Sequence, residues 1–192
     1  MKILILSCGT GGGHDSAANA ILEQFNELNI ECEIMNPIEL TSKRIAKSVN
    51  ETYLKIVKNM PRMNKNIYHF GELYGKFPMK SPIYSFNNLF AKKLEEYIKN
   101  NNIDYIISTH LYPAETLTYL KKRNKDIHFI LIATDYTVIP LFKETNPDYY
   151  ILPAKKLEKD YINAGIDKKK LLSYGIPVSP KFNIKYKLIK NF

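Results

Sequence analysis

The sequence predicts an α/β fold of the Rossmann type, a mainly parallel sheet with helices on both faces. A short apolar run at residues 3–7 leads into the glycine-rich stretch 9–13, as a buried strand does when it enters a tight loop. Further short apolar runs alternate with segments of helical periodicity in the second half of the chain. The 192 residues are 45% hydrophobic, which is typical of one globular domain with a sizeable core.

The first strand–helix–strand unit is predicted within residues 1–40. The strand at 3–7 and a second strand at 31–35 flank a helix that Asp15 or Ser16 can cap. One face of this helix is apolar at helical spacing, with Ala18, Ile21, Leu22, Phe25 and Leu28. Such a unit begins a doubly wound parallel sheet.

Residues 41–100 interrupt this alternation, and we predict that they form a helical insertion or long crossover. A helix is expected before Pro61, then a loop over 61–82 and another helix near 86–97. The remaining elements are strands near 105–108, 128–133, 149–152 and 171–174, with helices from about Pro113 and over 157–164. We therefore expect one domain over 1–182, followed by a tail or linker at 183–192.

Charge and cysteine content narrow the class of protein. The net charge is +9, and residues 41–80 hold nine Lys and Arg against two acids. Such a segment attracts nucleic acid or acidic lipid head groups. The two cysteines lack the spacing of a disulfide framework or a zinc site, so no metal is expected. Without a signal peptide or an apolar run of ~20 residues, the chain is expected to be cytosolic.

The glycine-rich stretch indicates a binding loop at a helix N-terminus. Backbone N–H groups there can approach a phosphate or polar head group, although a plain tight turn is the alternative. A dinucleotide fingerprint does not fit, because His14 stands at the third glycine position. A P-loop does not fit either, because Gly13 is followed by His14 and Asp15. We therefore expect no cofactor at this loop.

Four short motifs occur in order after the predicted strands. They are Gly11-Gly12-Gly13-His14-x-x-Ala17-Ala18, Ser108-Thr109-His110, Ala133-Thr134-Asp135 and the stretch 174–180, YGIPVSP. Together they resemble the monogalactosyldiacylglycerol synthase and processive diacylglycerol glucosyltransferase family, which is related to the peptidoglycan GlcNAc transferase. The resemblance covers about residues 1–182.

The resemblance implies an inverting hexosyltransferase of the GT-B type, built from two Rossmann-like domains. This chain would be the N-terminal domain, which binds the lipid acceptor and the membrane. The UDP-sugar would bind mainly to a C-terminal donor domain that this chain lacks. The chain alone would then be inactive, or it would act as a lipid-binding subunit that recruits a separate donor-binding polypeptide.

Two residues are candidates for the general base that such a transfer requires. His14 lies where the glycine loop meets the helix, and Asp135 lies just beyond a strand end, where open α/β sheets bind their ligands. Asp135 could be the base itself or could orient His14. A capping or exposed histidine and a turn aspartate are the structural alternatives.

The acceptor or phosphate site is expected to include Gly11, Gly12, Gly13, His110 and Thr134. A structural hydrogen-bonding role for His110 is the alternative. Some members of the family carry a histidine shortly after the residue that matches Asp135, whereas the stretch 136–140 here has none. The acceptor could thus be diacylglycerol or another lipid, such as an undecaprenyl-diphosphate sugar.

Basic and aromatic residues are mixed in the segment 41–80, as expected at an anionic membrane surface. The predicted contacts are Lys55, Lys58, Arg62, Lys65, Tyr68, Phe70 and Phe77. They favour a cytoplasmic protein that is peripheral on the inner face of the cell membrane. Single-stranded nucleic acid or a plain solvated surface are the alternatives, and we expect no nucleic-acid partner.

Overall fold

A computed structural model describes residues 1–9, 12–40, 82–138 and 140–182. Six strands form one sheet: β1 (Lys2–Leu6), β2 (Glu31–Met35), β3 (Tyr105–Ser108), β4 (Phe129–Ile132), β5 (Tyr149–Ile151) and β6 (Leu171–Leu172). Their spatial order is β2-β1-β3-β4-β5-β6, and every neighbouring pair is parallel. The predicted α/β fold and its six predicted strands are confirmed.

Four α-helices are described, and short 3₁₀ turns separate several elements. The helices are α1 (Gly12–Glu27), α2 (Pro82–Asn100), α3 (Leu111–Arg123) and α4 (Glu158–Asn163). The 3₁₀ turns are Pro37–Leu40, Pro140–Glu144, Lys155–Leu157 and Lys168–Lys170. Among the described residues, no helix has the length and apolar character needed to cross a membrane. The helix and loop predicted over 41–81, and the tail 183–192, lie outside the described residues.

The two faces of the sheet are packed differently. The larger cluster joins buried residues of β1, β3, β4 and β5 to apolar residues of α2, α3 and α4. The smaller cluster joins Ile3, Ile5, Ile107 and Ile132 on the opposite face to Ala18 and Ile21 of α1. Helices thus lie on both faces, as predicted.

The prediction that Asp15 or Ser16 caps the first helix is wrong. Helix α1 already begins at Gly12, so both residues lie inside its first turns. The Asp15 carboxylate instead accepts hydrogen bonds from the Ser7 hydroxyl and from the Gly9 backbone N–H. Asp15 therefore ties the end of β1 to the start of α1.

The register of the sheet brings three strand ends together. Leu6 of β1 is paired with Ser108 of β3, and Ser108 is in turn paired with Leu131 of β4. Because the strands are parallel, the segments after β1, β3 and β4 leave the same edge. This edge carries the residues singled out in three of the four motifs.

Candidate functional site

His14 lies in the first turn of α1 and reaches across to the ends of β3 and β4. Its Nδ1 is 2.8 Å from the carbonyl oxygen of Thr109 and 2.7 Å from the hydroxyl oxygen of Thr134. A carbonyl oxygen can only accept, so Nδ1 carries the hydrogen in this arrangement. Nε2 is then the nitrogen with the free lone pair, and it is the basic atom of the ring.

His110 lies beside His14 and also serves the fold. It is the N-cap of α3, and its Nδ1 accepts a hydrogen bond of 3.1 Å from the Tyr112 backbone N–H. Its ring is edge-on to that of His14, with the ring centroids 4.5 Å apart. Burial, helped by the neighbouring His14, lowers the pKa of His110 to about 3. His110 is therefore a neutral, capping side chain that also borders His14.

The structure does not bring Asp135 and His14 into a hydrogen bond. Among the described contacts of His14, Nδ1 is engaged by Thr109 and Thr134, and Asp135 is an exposed residue next to Thr134. Asp135 instead contributes, after burial, to a raised pKa of the Tyr161 hydroxyl. It borders the same edge of the sheet, and its role as base or orienting residue stays a prediction.

The glycines of the loop leave open space at the start of α1. Gly12 and Gly13 are exposed, and a Cβ atom added to either would meet no atom within 4 Å. The backbone at these two glycines is therefore accessible to a ligand. Gly11 lies outside the described residues, as do the seven membrane contacts predicted in the segment 41–80.

Two residues that support this loop were not identified from the sequence as part of the site. Asn36 donates from Nδ2 to the Cys8 carbonyl (3.3 Å) and accepts the Ile38 N–H (3.1 Å), which fixes the loop against the end of β2. Gly9 has a φ of 63°, a backbone conformation that favours glycine. The role of the Thr109 carbonyl was also missed, because every residue has a backbone carbonyl and the residue type does not indicate which one is used.

Comparison with known proteins identifies the family to which the chain belongs. The family model for monogalactosyldiacylglycerol (MGDG) synthase matches residues 14–178, which begin at His14 and include both strand-end motifs. This chain belongs to the MGDG synthase family. The resemblance inferred from the four motifs is thereby confirmed.

Several curated relatives support the MGDG synthase assignment at modest identity. The chain is 24% identical over 172 residues to the uncharacterized glycosyltransferase YkoN of Bacillus subtilis, covering 90% of this chain and 46% of that protein. It is 26% identical over 190 residues to a processive diacylglycerol beta-glucosyltransferase of Staphylococcus haemolyticus, covering 94% and 45%. For the Bacillus pumilus enzyme of the same name, the identity is 25% over 185 residues, covering 94% and 46%. The chain spans about half the length of these relatives.

Proposed function

We propose that this chain is the acceptor-binding half of an inverting glycosyltransferase that transfers a sugar from a UDP-sugar to diacylglycerol. The observation that carries the proposal is the hydrogen bonding of the His14 ring at the sheet edge. Its Nδ1 donates to the Thr109 carbonyl, so its basic Nε2 is the atom left to meet an acceptor hydroxyl. The names of the diacylglycerol-specific relatives support the choice of acceptor.

In the proposed reaction, His14 accepts one proton from the acceptor hydroxyl. The acceptor oxygen forms a bond to the anomeric carbon, while the bond from that carbon to the UDP oxygen breaks on the opposite side of the sugar. Nε2 takes the acceptor's proton during this step. The imidazolium that results donates from Nδ1 to the Thr109 carbonyl and toward the Thr134 oxygen, and both contacts stabilise its charge.

The neutral state of His110 favours the same chemistry. A second positive charge 4.5 Å away would oppose proton uptake by His14, but burial keeps the pKa of His110 low, at about 3. Asp135 is the other candidate base, as an exposed carboxylate next to Thr134. In this proposal it contacts the acceptor or donor rather than the His14 ring.

The proposal also includes a donor domain and a membrane surface as partners of the described domain. The UDP-sugar is held mainly by a donor domain that is not part of these 192 residues. The basic and aromatic residues of the segment 41–80 hold the protein on the inner face of the cell membrane, where diacylglycerol resides. Electrostatic attraction to anionic lipids supplies this contact.

Acceptor recognition can be tested on this chain alone. Histidine labelled with ¹⁵N reports the four imidazole rings of the chain, and His14→Gln assigns the signals of His14. Titration with dioctanoylglycerol should shift the Nε2 signal of His14 strongly, because a hydroxyl donates to that nitrogen. The signals of exposed His128 should change little.

The same titration separates the alternatives. If the His14 signal does not change with dioctanoylglycerol but changes with an undecaprenyl-diphosphate sugar, the acceptor is that lipid-linked sugar and not diacylglycerol. If the signal changes with neither lipid, the result argues against an acceptor site at His14.

A further inference from the structure

The fourth sequence motif, at residues 174–180, has no role in the proposed function. It follows β6, and the chain then returns from the sheet to α1. Gly175 begins this return with a φ of 93°, a backbone conformation that favours glycine. Residues 175–182 are called the strap below.

The strap is attached to the rest of the domain at two places. At its start, the Gly175 N–H donates to the Leu152 carbonyl at 3.0 Å, just after the end of β5. Near residue 182, the Ser179 hydroxyl donates to the Glu23 carboxylate of α1. The Lys181 ammonium lies 3.3 Å from the other oxygen of the same carboxylate. One side chain of α1 therefore accepts both of these polar contacts from the strap.

The far part of the strap is a turn built around Ser179. The Phe182 N–H donates to the Ser179 carbonyl at 3.0 Å, and the Lys181 N–H donates to the Ser179 hydroxyl oxygen at 3.4 Å. The same hydroxyl is the group that donates to Glu23. The turn and α1 are thus joined through Glu23.

Apolar burial contributes little to the attachment of this turn. Val178 is 63% exposed and Phe182 is 71% exposed, and Tyr174, just before the strap, is 78% exposed. Pro177 and Val178 border an open cavity. Because hydrophobic stabilisation scales with the apolar area removed from water, the polar contacts to Glu23 are the main attachment of the turn to α1.

Of these two contacts, the hydrogen bond from Ser179 is the more important. It is the first cause that holds the pKa of the Glu23 carboxyl below its ordinary value, and Lys181 adds to this effect. The Lys181 side chain is 81% exposed, and ion pairs at exposed positions are weak because water and salt screen them. The attachment is therefore expected to depend on Glu23 and Ser179 more than on Lys181.

We propose that Glu23 is a positioning residue for sugar transfer, because it holds the strap on the helix that carries His14. The inference rests on the proposed function, in which a donor domain completes the site. Both residues belong to α1, and about 14 Å of helix connects the proposed base to Glu23. A polypeptide that continues beyond the strap then starts from a fixed point relative to His14. This limits the orientations that the donor domain can adopt.

Amide hydrogen exchange in the chain alone tests whether Glu23 holds the strap. In Glu23→Ala, the Phe182 amide should exchange about tenfold faster than in the parent, because the turn that protects it is released from α1. The Gly175 amide is the internal control, and it should keep the parent rate because its bond to the Leu152 carbonyl does not involve Glu23.

Three further variants identify the contact responsible. Ser179→Ala should accelerate exchange of the Phe182 amide as Glu23→Ala does, and Lys181→Met should have a smaller effect. Glu27→Ala is the matched control, since it removes the same charge from an exposed position of α1. The Glu27 carboxylate accepts from Gln24 instead of from the strap, so this variant should exchange like the parent.

The positioning role is tested in this chain fused to the C-terminal half of the Staphylococcus haemolyticus relative. Glu23→Ala should lower kcat about three- to tenfold with little change in the KM for the UDP-sugar, because a smaller fraction of molecules has the productive domain orientation. Small-angle X-ray scattering should show a broader distribution of interdomain distances for this variant. Glu23→Gln keeps an acceptor for the Ser179 hydroxyl and should restore most of kcat, and Glu27→Ala should match the parent.

The outcomes separate this inference from the proposed function. Exchange of the Phe182 amide at the parent rate in Glu23→Ala would show that Glu23 does not hold the strap, and would overturn the inference. Faster exchange with unchanged kcat and unchanged scattering would reduce Glu23 to a local contact, which also overturns the inference but leaves the proposed function intact. If exchange and scattering both change as expected but the parent fusion transfers no sugar to diacylglycerol, Glu23 still positions the domain and the proposed function is contradicted.

Discussion

The Thr134 hydroxyl is the side-chain contact that holds the His14 ring, and its removal tests the arrangement at the scale of one residue. Thr134→Val keeps the shape of the side chain and deletes the oxygen 2.7 Å from Nδ1. In an enzyme that contains this chain as its N-terminal half, we expect kcat to fall about ten- to hundredfold with little change in the acceptor KM, since the contact strengthens as the ring becomes charged.

Thr116→Val is the control for this prediction, because the Thr116 hydroxyl donates to the Tyr112 carbonyl within α3 and makes no hydrogen bond to the His14 ring. Kinetics of sugar transfer at varied acceptor concentration provide the measurement. An increase of KM alone in Thr134→Val would make Thr134 a binding residue, as the strand-end motif first suggested.

His110 makes stability depend on pH. Its folded-state pKa is about 3, below the ordinary value of about 6.5 that applies when unfolded. The unfolded state then binds more protons between these values, so stability is full above about pH 6.5 and falls as the pH decreases toward 3. The slope has an upper limit of about 1.4 kcal/mol per pH unit.

The substitution His110→Asn isolates this effect, since asparagine is also a good N-cap. The loss of unfolding free energy between about pH 6.5 and 4.5 should be smaller in the variant by roughly 1–2 kcal/mol, as measured by urea unfolding at each pH. An unchanged slope in His110→Asn would show that His110 is protonated in the folded protein.

At the scale of elements, the junction of β1 and α1 depends on Asp15. Its carboxylate accepts from Ser7 and Gly9, and it also lies at the positive end of the helix dipole. Asp15→Ala should lower the unfolding free energy by about 1–3 kcal/mol, because the buried Ser7 hydroxyl loses its acceptor and the Gly9 N–H loses its own. Urea denaturation measures this loss, and exposed Asp126→Ala should stay within about 0.5 kcal/mol of the parent. Equal losses of unfolding free energy in the two variants would contradict the structural role assigned to Asp15.

The elements themselves follow closely from the sequence. Short apolar runs predict strands because each strand is buried on at least one face, and the register of a parallel sheet then brings the strand-end motifs to one edge. The start of α1 was not predictable by the capping rule, since glycines at 12 and 13 adopt helical geometry and Asp15 is used by the loop. The short 3₁₀ turns were missed because they have no periodicity to detect.

The site was predictable in its residue types more than in its contacts. Motifs identified His14, His110 and Thr134, and the structure places the three together. The hydrogen bond to the Thr109 carbonyl and the capping role of His110 depend on backbone positions, which any residue could provide. Only the folded structure shows these contacts, and the hydrogen bond to the Thr109 carbonyl determines which nitrogen of His14 is basic.

For the molecule as a whole, membrane attachment is predicted to be electrostatic. Replacing Lys55, Lys58, Arg62 and Lys65 with Gln should weaken binding to phosphatidylglycerol vesicles by a few kcal/mol, at about 1 kcal/mol for each charge near the surface. Vesicle sedimentation at low and high salt measures the effect, and salt should weaken the parent in the same direction. The control replaces four exposed lysines elsewhere, Lys93, Lys125, Lys168 and Lys169. Equal losses in the two variants would mean that total charge, and not this segment, binds the membrane.

We propose that His14 is the base for sugar transfer to diacylglycerol. The most direct test uses this chain fused to the C-terminal half of the Staphylococcus haemolyticus relative. Transfer of radiolabelled sugar from UDP-glucose or UDP-galactose to diacylglycerol is measured for the parent, His14→Gln and His128→Gln. We predict that His14→Gln loses about 10²–10⁴-fold in kcat while His128→Gln transfers at the parent rate. A His14→Gln enzyme with the parent's kcat would contradict the claim.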